Sequence, residues 1–193
     1  MTTSDIKLVK LWTEAAIYFN GKFSMPLQNI NGGSRYGGLF LFRINFSYRG
    51  FDVEIHTGVY ELTLKNDEYT GKEITLTATK KSNRKIELSI WRKDYFDKIW
   101  PSRFRTGFQE FDKAIGIRAD SKTVSYLSVI FNNKDLRQMI IDDKYRVYNI
   151  QTINGTMIVT GKGGIQIASR DQFIDEFKRF SFLLDGLGEI DFI

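Results

Sequence analysis

The stretch FLFRINFSYRGFDVEIH, at residues 40–56, alternates apolar and polar side chains on both sides of Arg49-Gly50. A period of two places successive side chains on opposite faces of a strand, and a glycine permits a tight turn between two strands. The stretch therefore predicts an antiparallel hairpin, with Phe42, Ile44 and Phe46 on its buried face.

The same alternation predicts further strands along the chain. They cover residues 59–64, 73–79, 85–91, 114–119 and 165–168. Asn154-Gly155, between two alternating segments, is a strong hairpin signal. A meander, in which consecutive strands are neighbours, is the simplest topology.

Two amphipathic helices are expected at the ends of the chain. In the first, the apolar stripe comprises Leu8, Leu11, Trp12, Ala15 and Phe19. In the last, Ser169 and Gln172 form a capping box, and Asp185-Gly186 is the expected end. A third helical region covers 123–142, with a break at Asn132-Asn133. The fold class is thus α+β, an antiparallel sheet covered by N- and C-terminal amphipathic helices. It forms a single domain over 1–193 or two pseudo-domains meeting near residue 100.

Composition excludes several kinds of site. The 193 residues include no cysteine and one histidine, His56. Disulfides, thiolate nucleophiles, cysteine-zinc sites and clusters of several histidines are therefore excluded. We predict no catalytic residues, no cofactor and no metal. The first residues lack the features of a secretory signal, and every apolar run is too short to span a membrane, so we expect a cytoplasmic protein.

The net charge of +5 is concentrated in one window. Between Lys80 and Arg105 there are nine basic and three acidic residues, interleaved with aromatic side chains. This composition is typical of surfaces that bind phosphates and stack on bases, or that contact an anionic membrane surface. The candidate anion-binding or nucleic-acid-binding residues are Lys80, Lys81, Arg84, Lys85, Trp91, Trp100, Arg103 and Arg105. Alternatively, residues 80–85 form a solvated hairpin tip and the aromatic side chains belong to the core.

Three other patterns have both a functional and a structural interpretation. His56 shares a strand face with Asp52 and Glu54, an arrangement open to acid/base chemistry or metal binding, or simply a solvated sheet face. The glycine-rich segment 161–164 lacks phosphate-loop spacing and is better read as a β-turn. The loop 29–38 either closes over a ligand or is disordered.

The C-terminal half resembles a widespread bacterial domain family of unknown function. The resemblance lies in residues 107–112 (GFQEFD), Leu136 in a helix, and a hairpin over 145–159. The family has an acidic residue at the position of Phe108. The resemblance implies an α+β arrangement and no activity.

The missing nucleophile, metal and cofactor signatures favour a non-enzymatic binding or protein-interaction module with an unidentified protein partner. One alternative is a nucleic-acid-binding accessory protein that uses the basic aromatic segment 80–105. A second alternative is an enzyme with an acid/base site around His56.

Overall fold

The computed structural model describes residues 3–25, 27–28, 39–40, 42–57, 60–61, 74–93, 104–143, 146–163 and 169–190. In chain order the elements are α1 (Thr3–Tyr18), β1 (Lys22–Ser24), β2 (Leu27–Gln28), β3 (Leu39–Phe40), β4 (Arg43–Tyr48), β5 (Phe51–Thr57), β6 (Tyr60–Glu61), β7 (Ile74–Lys81), β8 (Glu87–Arg92), α2 (Gln109–Ala114), β9 (Ile115–Ala119), α3 (Ser121–Val124), α4 (Leu127–Ile130), α5 (Lys134–Asp142), β10 (Arg146–Ile153), β11 (Thr156–Gly163) and α6 (Arg170–Ile190).

Eight of the described strands form one antiparallel sheet, in the order β1-β4-β5-β7-β11-β10-β8-β9. This confirms the predicted α+β class, but the predicted meander is wrong. The β10–β11 hairpin lies between β7 and β8, so strands from both sides of residue 100 share the sheet. It turns at Asn154 and Gly155, both with positive φ. The two short strands β2 and β6 flank β3 in a separate sheet.

The large sheet has two chemically different faces. Apolar residues in register, such as Ile44, Ile55 and Leu76, are buried on the inner face. On the outer face, the described side chains of β4, β5, β7, β8, β10 and β11 are all exposed or half-buried. Threonine recurs there, as in Thr77 and Thr160, which are directly paired.

Helices α1 and α6 cover the inner face at the β4 side, as predicted. Trp12 of α1 lies between two aromatic rings, with centroids 5.7 Å from Phe42 and 4.7 Å from Phe173 of α6. Such aromatic contacts add to the free energy gained from burial. The capping box of α6 is also confirmed, because the Ser169 amide donates to Gln172 Oε1 at 3.2 Å.

The predicted end of α6 at Asp185-Gly186 is wrong, because the helix continues to Ile190. Gly186 serves close packing instead. A β-carbon at this position would lie 2.9 Å from the backbone oxygen of Ile130 in α4. Glycine is therefore required where the two helices approach each other, and it does not signal a helix end.

The GFQEFD segment organises the connection into α2. Asp112 accepts hydrogen bonds from the Thr106 amide at 2.9 Å, the Thr106 hydroxyl at 2.8 Å and the Gly107 amide at 3.1 Å. The Arg137 guanidinium of α5 lies 3.7 Å from the centroid of the Phe108 ring. Asp112 and Phe108 therefore have a structural role here.

Of four remaining predictions, one is confirmed, one is wrong and two concern residues outside the described ranges. The helix break is confirmed, since Asn133 caps α5 by accepting from the Asp135 amide at 2.8 Å. The turn predicted at 161–164 is wrong, because residues 161–163 continue β11. The loop 29–38 and the strand 165–168 lie outside the described residues. None of the described helices is long and apolar enough to cross a membrane.

Candidate functional site

Residues 82–86, between β7 and β8, cross the tip of the β10–β11 hairpin. The Ser82 amide donates to Gly155 O at 3.1 Å. The Ile86 amide donates to Thr152 Oγ1 at 3.1 Å, and the Thr152 amide donates back to Ile86 O at 2.9 Å. The segment is thus an anchored crossover. It is exposed at Lys81, Asn83 and Lys85, but it is not the tip of a hairpin, because β7 and β8 are not neighbours in the sheet.

The crossover presents its cations to solvent beside the hairpin. Lys81 Nζ lies 3.3 Å from Thr156 Oγ1. Arg84 Nη1 donates to the Tyr126 hydroxyl at 3.2 Å, and its guanidinium lies 5.8 Å from the Tyr126 ring centroid. Lys85 is exposed. These contacts involve neutral groups, so the positive charges of Lys81 and Arg84 are not neutralised by them.

Arg49, which the sequence analysis missed, joins this surface from the β4–β5 turn. Its φ is 47° and that of Gly50 is 80°, as a two-residue hairpin turn with positive φ at both positions requires. Lys80 Nζ lies 5.3 Å from the ring centroid of Phe51, the first residue of β5. The turn and the crossover are therefore adjacent.

Lys122 joins from the other side, on α3. The amide of Asp120, the N-cap of α3, donates to Glu87 O at 3.2 Å, which places α3 beside the start of β8 and close to Lys85. We call the combined surface the basic end. It consists of Arg49, Lys80, Lys81, Arg84, Lys85 and Lys122. No local sequence pattern connects Arg49 or Lys122 to residues 80–85, because only the strand order brings them together.

Described carboxylates also lie among these cations. Asp185 Oδ1 lies 3.0 Å from Arg49 Nη1. The Asp120 carboxylate accepts from the Thr123 amide at 2.8 Å. Hydrogen bonding by the Thr123 hydroxyl is the main cause that lowers the pKa of Asp120, and Lys85 and Lys122 lower it further. With Glu87 at the start of β8, the basic end keeps a surplus of positive charge.

The other predicted binding residues do not join the basic end. Trp91 lies on the outer face against Gly116 of β9, about 20 Å along the chain from Lys85 at ~3.3 Å per residue. Arg105 is exposed in the segment before α2. Trp100 and Arg103 lie outside the described residues. In the described part of the site, Trp91 is thus separated from the lysines of the basic end, and its role in stacking stays a prediction.

His56 and Glu54 share the outer face, as predicted, but the Glu54 carboxylate forms an ion pair with Arg43. Arg43 Nε lies 3.1 Å from Glu54 Oε2 without forming a hydrogen bond, and His56 Nε2 lies 3.9 Å from Glu54 Oε1. His56 Nδ1 lies 3.1 Å from Thr57 O. Here Glu54 is mainly the counter-ion of Arg43.

An open depression of about 490 Å³ adjoins this cluster, lined in part by Asp52, Glu54, Thr77 and Thr79. The depression is open, so its carboxylates stay in contact with water. A catalytic acid or base usually acquires its shifted pKa in surroundings that exclude water. Among the described residues, no three histidine, aspartate or glutamate side chains are grouped as a metal site requires.

No family model, curated protein or solved structure matches this chain.

Proposed function

We propose that this protein is a non-enzymatic protein-interaction module that binds an acidic segment of a partner across the basic end. The observation that carries the proposal is the convergence of three distant chain segments. The β4–β5 turn, the β7–β8 crossover and α3 bring six cations to one end of the sheet. Such a field raises the association rate of an anionic partner and orients it.

The chemistry of the basic end favours carboxylates as its ligand. Asp185 already binds here, to the Arg49 guanidinium at 3.0 Å and to the Tyr48 hydroxyl at 3.2 Å. Proteins that bind single-stranded nucleic acid usually place aromatic side chains beside the cations, so that bases stack on them. Trp91 is distant along β8, and Tyr126 is already engaged by Arg84. An acidic peptide needs no such platform.

The extent of the basic end sets the length of the segment. From the β4–β5 turn to the end of the β8–β9 pair the sheet spans about five strand intervals, or roughly 24 Å at ~4.8 Å each. An extended peptide covers this distance with about seven residues at ~3.3 Å per residue. A partner segment of seven or eight residues rich in Asp and Glu therefore fits.

The direct test is fluorescence anisotropy with a labelled octapeptide of glutamate, at low and physiological salt. The triple variant Lys81→Glu, Lys85→Glu, Lys122→Glu should weaken binding at least tenfold, because three exposed charge pairs contribute about 0.5 kcal/mol each. The matched control is Lys7→Glu, Lys113→Glu, Lys134→Glu, which reverses the same charge at exposed positions elsewhere. It should bind clearly more tightly than the first variant.

A labelled single-stranded oligonucleotide and anionic lipid vesicles serve as competing probes. Tighter binding of either one than of the peptide would replace the proposed partner by that class of anion. Equal loss of peptide binding in both triple variants would show that only net charge matters, and would overturn the assignment to the basic end.

A further inference from the structure

Asp185 holds Arg49 in the free protein. Its Oδ1 lies 3.0 Å from Arg49 Nη1, while the Tyr48 hydroxyl donates to both carboxylate oxygens, at 3.2 and 3.4 Å. The arrangement matches what a partner's carboxylate would find at this corner of the basic end. One cation of the proposed binding surface is therefore already engaged by a carboxylate of the chain itself.

The two partners of this ion pair differ in their freedom to move. Asp185 is fixed on α6, between the buried Leu184 and the close contact of Gly186 with Ile130. The Arg49 side chain is 69% exposed and extends from a two-residue turn. When the pair opens, the arginine is therefore the group that swings away.

Opening the pair costs little. An ion pair with one partner this exposed contributes a small stabilisation, and so does the contact of the exposed Arg49 guanidinium with the Tyr48 ring, 5.7 Å from its centroid. The Tyr48 hydroxyl continues to donate to Asp185 after Arg49 has left. Tyr48 itself stays in place, since its ring packs edge-on against Phe177 of α6 at 5.2 Å. The turn can release its cation without disturbing the sheet or the helix.

We infer that Asp185 is an internal competitor that occupies Arg49 until a carboxylate of the partner displaces it. This inference rests on the proposed function. The basic end would then bind its partner in two parts, with the crossover and α3 open from the start and Arg49 recruited afterwards. Only a ligand that reaches the β4–β5 turn must displace Asp185, so the competition lowers the affinity of such ligands.

The experiment is a double-mutant cycle with the labelled glutamate octapeptide. Asp185→Asn keeps an acceptor for Tyr48 but releases Arg49, and should tighten binding about two- to fivefold, the range that one exposed ion pair represents. In an Arg49→Gln background the same substitution should change binding by much less. Asp120→Asn, which removes a negative charge from the same end without touching Arg49, should give the same gain in both backgrounds.

A gain from Asp185→Asn that persists in Arg49→Gln would assign the effect to net charge and overturn the competitor role while leaving the proposed function intact. Unchanged affinity in Asp185→Asn would also overturn the competitor role and leave the proposed function intact. Absence of peptide binding in the wild type and in every variant would overturn both proposals.

Discussion

The indole of Trp91 lies against Gly116 so closely that a β-carbon at Gly116 would come within 2.4 Å of the ring. The two residues are directly paired across β8 and β9. Gly116 therefore provides the space in which the half-buried ring lies on the outer face.

Gly116→Ala should destabilise the protein by about 1–3 kcal/mol, because the ring must leave its position or the strands must separate. Urea unfolding measures this loss. In a double-mutant cycle, Gly116→Ala should cost less when Trp91 is already Ala, since no indole is left to displace. Strictly additive losses would show that the steric contact does not cause the effect.

Two glycines of α6, two residues apart, provide a matched pair. Gly186→Ala places a β-carbon 2.9 Å from Ile130 O, whereas nothing lies within 4 Å of the corresponding atom at Gly188. The first substitution should destabilise by about 1–3 kcal/mol, and Gly188→Ala should stabilise by about 0.5–1 kcal/mol through helix propensity. Thermal and urea unfolding measure the stabilities of the two variants relative to the wild type. Similar losses in both variants would contradict the proposed close approach.

Asp112 accepts three hydrogen bonds from Thr106 and Gly107. Asp112→Ala should therefore lower the free energy of unfolding by about 1–3 kcal/mol, because the two donors of the buried Thr106 lose their acceptor. Glu110→Ala, at an exposed position of the same helix, is the control and should change it by no more than about 0.5 kcal/mol. If both variants unfold alike, Asp112 does not anchor the connection.

Asp120 makes stability depend on pH in the acid range. Because its pKa is lowered in the folded protein from the ordinary 3.8, its charged form stabilises the fold above that value. The contribution disappears as the pH falls through the lowered pKa. Asp120→Asn keeps a good N-cap residue for α3 but replaces the titratable carboxyl group by an amide.

The difference in unfolding free energy between the wild type and Asp120→Asn should therefore be positive at pH 7 and shrink below about pH 4. Urea unfolding at pH 7, 5, 4 and 3 measures it. A difference that stays constant across this range would rule out the carboxylate as its source.

Local patterns were sufficient to predict much of the fold. The hairpin of β4 and β5 follows from alternation of period two, although Phe40, predicted in the same strand as β4, lies in β3 of the other sheet. The start of α6 follows from the reciprocal bonds of Ser169 and Gln172. Both signals depend on residues close together in the chain. The error at Gly186 arose because the contact that requires glycine comes from Ile130, more than fifty residues away.

The candidate site was only partly predictable. Lys80, Lys81, Arg84 and Lys85 are neighbours in sequence, and the structure keeps them together. Arg49 and Lys122 reach them only because β5 pairs with β7 and α3 follows β9. Alternation of apolar and polar residues predicts which face of the sheet a side chain occupies, but not which strand lies beside it. The sequence therefore could not predict that Arg49 and Lys122 lie next to residues 80–85.

The insertion of β10 and β11 between β7 and β8 also determines when the sheet can form during synthesis. Until residues 146–163 have been made, β7 and β8 each lack a neighbour, and the six strands of the large sheet that precede them form two separate parts, β1-β4-β5-β7 and β8-β9. Unpaired strand edges of this kind promote aggregation. A fragment ending at residue 143 should therefore precipitate or bind chaperones. The intact chain joins its two parts only when its last hairpin arrives.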